Sequence, residues 1–248
     1  MFKGKTISPF NLAVTAVFTA LVCVVTMGFS VYVPTTEGFF NIGESMVFLS
    51  ALLFGPLVGA FAGGVGSALA DLILGFPHYA PATLIIKASE GAVVGILKKK
   101  NPKLSSKLHW KLFTIALGAV AGLLLGLAWI IIGKVEVTLG LGSGLFVLYI
   151  PAEFWLALGS ITALSIAILG LLADPEFGWT VFSVIVGGFI MVLGYFLYQR
   201  FLIYPLFKIE VVAIAEIPVN IGQMVIGATV ALPIAKIVWR VLPYLKEK

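Results

Sequence analysis

The sequence predicts an all-α integral membrane protein, and three observations carry that prediction. Of its 248 residues, 60% are hydrophobic and only 11% charged, against about 45–50% and 25% in soluble domains. Mean hydropathy is +1.13. The apolar residues form continuous runs of about 18 or more rather than alternating ten-residue segments, which indicates helical spans and argues against a β-barrel. The single cysteine, Cys23, excludes an internal disulfide and reads as core filler. A net charge of +5 suggests a nucleic-acid partner only until the charges are placed. Most basic residues sit in short loops and tails beside apolar runs, which is a topology signal.

Helix 1 is expected over Pro9–Phe29, with proline at a position whose missing N–H is harmless. It follows Lys3 and Lys5 as a signal peptide would, but it is too long for such a segment and lacks a small-residue cleavage site before Tyr32. Ala13, Ala16 and Ala20 share one face, and Ala16-x-x-x-Ala20 is a small-residue pair suited to close helix contact. Ser30–Phe40 reads as a loop. Helix 2 begins near Asn41 and stops at Gly55-Pro56, leaving about 15 residues, short of the roughly 20 that a span needs. Helix 3 runs from Pro56 to about Gly75, with Gly59, Gly63, Ser67 and Asp71 on one stripe. Phe76–Pro81 is a loop bounded by proline, and helix 4 runs from about Ala82 to Leu97.

Lys98, Lys99, Lys100, Lys103, Lys107 and Lys111 then fix a cytoplasmic loop by the positive-inside rule. Leu112–Gly133 is helix 5, with a Gly118, Gly122, Gly126 face; Lys134–Gly144 is a loop and Leu145–Leu172 helix 6. Asp174-Pro175-Glu176 reads as a cap, a proline at N1 and a first-turn acid opening helix 7, which reaches about Tyr204. Helix 8 occupies about Val211–Trp239. Counted this way, both termini are cytoplasmic. Twelve of the sixteen basic residues fall inside, Lys134, Arg200 and Lys208 fall outside, and Lys87 lies within helix 4. The whole chain, 1–248, reads as a single membrane domain.

Charges set into apolar sequence mark the candidate site. Each costs roughly 2.5–3.5 kcal/mol near a bilayer centre on insertion scales. Glu44, Asp71, Lys87 and Glu90 lie within Asn41–Gly95, and the topology brings them with Asn41 and Tyr79 to the outer half of the bundle. Glu216, Asn220 and Gln223, spaced i, i+4, i+7, give the last helix a polar face at the same level. Structural roles compete with ligand contact. Asn41-x-x-Glu44 also reads as a capping box, Lys87 and Glu90 as a mutual pair at i, i+3, and Glu153 and Glu216 as first-turn acids. His78 and His109 stand alone in loops, without metal-ligand spacing. Gly4-Lys5-Thr6 echoes the end of a phosphate loop but lacks the earlier glycine. No hydrolase motif is present, so no enzymatic activity, cofactor or metal is expected.

Several ordered segments together carry a family resemblance. They are Phe40-Asn41-Ile42-Gly43-Glu44, Gly55-Pro56-Leu57-Val58-Gly59, Gly66–Asp71, Tyr79-Ala80-Pro81, Lys87-Ala88-Ser89-Glu90-Gly91 and Glu216–Gln223. The series resembles the S components of energy-coupling factor (ECF) transporters, most closely the riboflavin-type group. The resemblance implies a high-affinity vitamin-binding membrane subunit that works with a transmembrane coupling protein and two cytoplasmic ATPases. It implies substrate contacts from Asn41, Glu44, Asp71, Tyr79, Lys87, Glu90, Glu216, Asn220 and Gln223, and a coupling-protein face at Ala13, Ala16 and Ala20. It also implies a six-helix core, here within 9–97 and 175–239. Since eight helices are expected in total, about 112–172 reads as an inserted hairpin. Four acids against Lys87 favour a neutral or cationic heterocycle over an anion, and riboflavin is the vitamin of that kind to which the resemblance points. A self-contained ion- or proton-coupled transporter, with the carboxylates and Lys87 as a relay, is the competing reading.

Overall fold

A computed structural model describes residues 9–100, 107–131, 133–141, 144–172 and 175–246. Lys3, Lys5, Gly4-Lys5-Thr6, Lys103, Asp174 and Lys248 lie outside the described residues. The helices are α1 (Pro9–Gly28), α2 (Glu44–Phe54), α3 (Pro56–Leu74), α4 (Ala80–Lys99), α5 (Lys107–Ile131), α6 (Glu153–Leu172), α7 (Pro175–Tyr198), a short α8 (Tyr204–Phe207) and α9 (Ala213–Val241). A π-turn over Gln199–Ile203 joins α7 to α8. Among the described residues, five helical segments are long and apolar enough to cross a membrane: Pro9–Gly28, Pro56–Leu74, Ala80–Lys99, Pro175–Phe207 and Ala213–Val241.

The expected helical membrane fold is what forms, and glycine explains its close packing. A Cβ on Gly59 would stand 2.6 Å from the Ala51 Cβ and 2.8 Å from the Gly91 carbonyl; one on Gly63 would stand 2.9 Å from the Lys87 carbonyl. Side chains there would push α2, α3 and α4 apart. Gly66 lets α1 approach in the same way, since a Cβ there would meet the Thr19 carbonyl at 2.6 Å. With eleven residues, α2 is too short to span, and most of its residues are buried. It is an internal post between α3, α4 and α9. Large apolar side chains such as Leu57, Ile85, Leu123 and Val241 face outward, as a lipid environment requires.

Two segments differ from expectation. Ser30–Phe40 and Lys134–Gly144, read as loops, supply strands β1 (Ser30–Val33), β2 (Gly38–Asn41) and β3 (Val135–Leu141). Strand β4 (Gly144–Ile150) takes the residues expected to open helix 6, so α6 starts only after Pro151, at Glu153. The four strands form one antiparallel sheet in the order β2-β1-β3-β4. Residues Ser30 to Val33 pair with Asn41 to Gly38, and Tyr32 meets Gly140 across β1 and β3. The alternating, β-branched Ser-Val-Tyr-Val and Val-Glu-Val-Thr suit a strand; each pairs first with its own hairpin neighbour, and Tyr32–Gly140 joins the two hairpins across about a hundred residues.

This sheet moves the start of α2 as well. Asn41 ends β2 instead of capping the helix, and its Oδ1 accepts a hydrogen bond from the Gly43 N–H at 2.9 Å. The first helical residue is Glu44, whose carboxylate goes to Lys87, so the capping-box reading is replaced. Glu153, Glu176 and Glu216 do lie in the first turns of α6, α7 and α9.

The α5–α6 hairpin packs chiefly on itself. A Cβ on Gly118 would meet the Ala163 carbonyl at 2.8 Å, and one on Gly122 the Ala163 Cβ at 2.7 Å, so the glycine face serves α6. At one end β3 ties the hairpin to β1, and Trp155 donates to the Gly133 carbonyl at 2.9 Å. At the other, Trp110 and Phe113 stack towards Trp179 and Phe182 of α7.

Candidate functional site

Below the sheet, α2, α3, α4, α7 and α9 converge on a polar cleft within an apolar bundle. It is lined by Asn41, Glu44, Asp71, Tyr79, Lys87, Glu216, Asn220 and Gln223, together with Thr26, Gly38, Phe39, Ser67, Thr83 and Tyr195. Of the expected site residues, eight line the cleft. Glu90 stands one layer behind, fully buried against Lys87.

An ion triad anchors the cleft wall. The Lys87 ammonium, from α4, pairs with Glu44 Oε2 of α2 and lies 3.2 Å from Glu90 Oε2. It also contacts the Met191 sulfur of α7. All three charged residues are at most 5% exposed. A buried cation between two carboxylates offsets part of a desolvation cost of several kcal/mol per ion. The pairing of Lys87 with Glu90 expected at i, i+3 is present, with Glu44 added from a distant helix. Gly227 of α9 makes room for it: a Cβ there would fall 2.7 Å from the Glu44 Cβ.

A second network crosses from β2 to α9. The Asn41 backbone N–H and Nδ2 both donate to Gln223 Oε1, at 3.1 and 2.6 Å, and Gln223 Nε2 donates to Asn220 Oδ1 at 2.7 Å. Along the other wall, Tyr195 OH donates to Thr83 Oγ1 at 2.9 Å, and Thr83 hydrogen-bonds Asp71. The glycine stripe of α3 thus packs at one end and presents Ser67 and Asp71 to the cleft at the other.

Tyr79 closes the sheet end. Its hydroxyl donates to the Thr36 carbonyl at 2.5 Å and accepts from Gln199 Nε2 at 2.7 Å. Burial, followed by the nearby Glu216 charge, pushes this hydroxyl well above the usual phenol range, so it remains a donor. Its ring meets those of Tyr195, Tyr198 and His78. His78 accompanies this cluster, with Nε2 3.2 Å from the Glu37 carbonyl. At the rim, burial and the hydrogen bond to Glu37 push Tyr32 up to about 12. Glu216 sits among Thr36, Gln199 and Asn220.

Several polar atoms here have no hydrogen-bond partner among the described groups. They include Asp71 Oδ2, Glu216 Oε2, Asn220 Nδ2, Gln199 Oε1 and Glu44 Oε1. Buried polar groups are ordinarily paired, so these atoms are open to a ligand or to water. With Lys87 held by Glu44 and Glu90, the remaining charge facing the cleft is acidic, from Asp71 and Glu216. Phe39, Tyr79 and Tyr195 add flat aromatic surface.

Sequence reasoning missed Thr26, Gly38, Phe39, Thr83, Tyr195 and Gln199. A hydroxyl or an aromatic ring in an apolar helix carries little insertion penalty, so it does not stand out as Asp71 does. Tyr195 had one usable signal, a phenol deep within a run that otherwise reads as lipid-compatible. The remaining expected surface is elsewhere: Ala13, Ala16 and Ala20 are exposed on α1, outside the cleft lining.

The model of the family described as ECF-type riboflavin transporter, S component, matches residues 6–174. This chain belongs to that family. A protein of Pyrococcus woesei described as "Uncharacterized protein in gap 3'region" is 41% identical over 138 residues, covering 54% of this chain and 80% of that one. The family match takes in the cleft residues Asn41, Glu44, Asp71, Tyr79 and Lys87 and the adjoining Glu90, and it runs on through α5 and α6. It stops before α7 and α9, which supply Tyr195, Glu216, Asn220 and Gln223 to the same cleft.

Proposed function

We propose that this S component is the substrate-binding subunit of an ATP-driven ECF importer, and that its substrate is riboflavin or another neutral or cationic heterocyclic vitamin or precursor. The observation that carries the substrate class is the set of unpartnered Asp71, Glu216 and Asn220 atoms between aromatic walls. Acceptors and one amide donor suit a heterocycle's ring N–H, carbonyl and hydroxyl groups, and aromatic rings suit its faces. A carboxylate ligand would meet two further carboxylates and a lysine already neutralised. In this reading Asn41, Gln223 and Asn220 orient the ligand, and Asp71 and Glu216 accept from it. Tyr79 stacks or closes the entrance, while Lys87, Glu44 and Glu90 hold the wall.

The cleft encloses about 30 Å³, whereas pockets for ligands of vitamin size run to about 300–1,000 Å³. Binding therefore separates β2 from α9 and breaks the Asn41–Gln223 contacts. The charge distribution supports a cell-membrane orientation with both termini cytoplasmic and the sheet outside. The exposed Ala13, Ala16 and Ala20 face fits close packing on a transmembrane coupling protein, driven by two cytoplasmic ATPases. The α5–α6 hairpin is an accessory to the six-helix core formed with α7 and α9, an assignment favoured by its packing mainly on itself. No enzymatic step is assigned to the chain.

The deciding experiment is mass spectrometry of the small molecule released from purified protein, followed by titration with riboflavin read by loss of flavin fluorescence. Release or tight binding of a neutral or cationic heterocycle is expected. Exclusive binding of an anion would sink the assignment.

A further inference from the structure

At the opposite end of the bundle, the ends of α7 and α9 and the segment after α9 line a second cavity, of about 220 Å³, beside the end of α4, that the importer reading does not use. Its walls are Glu176, Phe177 and Thr180 of α7, Lys236, Trp239 and Arg240 of α9, and Lys246 beyond it. From Gln223 to Arg240, α9 advances about 25 Å at 1.5 Å per residue, so this site is separate from the cleft.

Four cations surround it. The Lys98 ammonium stands 5.5 Å from the Trp239 ring centre and donates to the Lys246 carbonyl at 2.7 Å. Lys236 lies 4.7 Å from the Phe177 ring centre, and Lys246 pairs with Glu176 at 2.8 Å. Exposed Arg240 has no ion pair or hydrogen bond among the described residues. Glu176 is the single described acid in the lining, so the cluster carries an excess of three positive charges. A topology signal alone accounts for lysines in loops. It does not account for a cavity walled by two aromatic rings, nor for Trp239, which is 8% exposed with an Nε1–H that has no partner among the described groups.

We infer that this cavity binds the phosphate of an anionic phospholipid headgroup, with Arg240, Lys236 and the Trp239 N–H as its contacts. Phosphate chemistry alone would fit a soluble phosphate equally. The lipid source is favoured by position, because the cavity lies where three spans end, at headgroup level. Ile237, Val230 and Ile226, 62%, 37% and 40% exposed, lie on one stripe of α9 that runs from it towards the bilayer interior, a surface for acyl chains. The site would pin one end of the bundle to the membrane surface and leave the cleft free to change shape.

The test is native mass spectrometry of the full chain released from detergent micelles doped equally with phosphatidylglycerol and phosphatidylcholine. Phosphatidylglycerol should be retained in preference, and each of Arg240→Gln and Lys236→Gln should reduce retention about fivefold. Trp239→Phe, which keeps the ring, should reduce it less. Lys99→Gln with Lys100→Gln, outside the cavity, should leave it unchanged. Equal retention of the two lipids, or equal loss in the Lys99/Lys100 control, overturns the site. Displacement of phosphatidylglycerol by millimolar inorganic phosphate overturns the lipid assignment in favour of a soluble phosphate. The exposed Arg240 and Lys236 variants should keep the parent melting temperature, and their ligand affinity at the cleft should not move.

Discussion

Lys87 holds one wall of the cleft because it is fixed from two sides. Replacing it by methionine leaves Glu44 and Glu90 buried and facing each other. The expected loss is about 3–5 kcal/mol of stability, since an uncompensated buried charge is the costly outcome of breaking such a pair. Melting in detergent checks this, and Glu44→Gln added to Lys87→Met should recover part of the loss. Asp71→Asn behaves differently. Asp71 keeps a hydroxyl neighbour in Thr83, and its second oxygen is unpartnered. The amide should fold normally yet lower affinity for a neutral heterocycle about tenfold, the worth of one good hydrogen bond to a charged group. Calorimetric or fluorescence titration measures that directly. A melting temperature that drops while affinity stays constant would assign Asp71 to the scaffold instead.

Among the elements, the glycines separate two kinds of position. Gly59 and Gly91 face each other across α3 and α4, and a leucine at Gly91 would collide with the Gly59 backbone. Gly91→Leu should therefore abolish folding or ligand binding. Gly28, at the end of α1, has open space around its Cβ, so Gly28→Ala should be neutral or stabilise by about 0.5–1 kcal/mol. Thermal unfolding of the pair tests whether glycine serves packing or only spacing. The exposed face of α1 makes a third case. Ala16→Leu with Ala20→Leu should leave ligand affinity unchanged, because neither residue touches the cleft. Association with the coupling protein should fall, as seen by co-purification. Retained assembly in the double variant would move the partner surface to another helix.

For the whole molecule, the question is what the α5–α6 hairpin adds. It is joined to the rest by β3 at one end and by the Trp110 aromatic cluster at the other, with little contact between. Removing about 112–172 should lower the melting temperature, since Trp155 is buried in the main core. Ligand affinity should stay within about tenfold, because the cleft is lined from α2, α3, α4, α7 and α9. Measuring ligand binding and complex formation separately distinguishes a structural brace from a partner-docking element. Uptake in proteoliposomes should require the coupling protein and ATPases. Uptake by this chain alone under an ion gradient would favour the carboxylate relay.

The membrane class, the helical spans and the charged residues that gather at the cleft were legible in the sequence because each is a local, energetic statement. A lipid span must be apolar for about 20 residues, and Glu44, Asp71, Lys87 and Glu90 violate that rule visibly. The stripe Gly59, Gly63, Ser67, Asp71 likewise announced packing at one end and polarity at the other. What the sequence could not fix was decided by distant partners. Ser30–Asn41 and Val135–Ile150 each fold into a hairpin that pairs within itself, Tyr32 and Gly140 join the two into one sheet, and the first hairpin moves the start of α2 from Asn41 to Glu44. Thr83 and Tyr195 join the cleft because α4 and α7 turn their hydroxyls to one another. Lys87 could have been assigned to Glu90 alone by spacing. Only the approach of α2, made possible where α9 carries Gly227, brought Glu44 to it. Hydrophobicity and charge are properties of residues in solvent, whereas pairing and register are properties of surfaces that the chain creates only by folding.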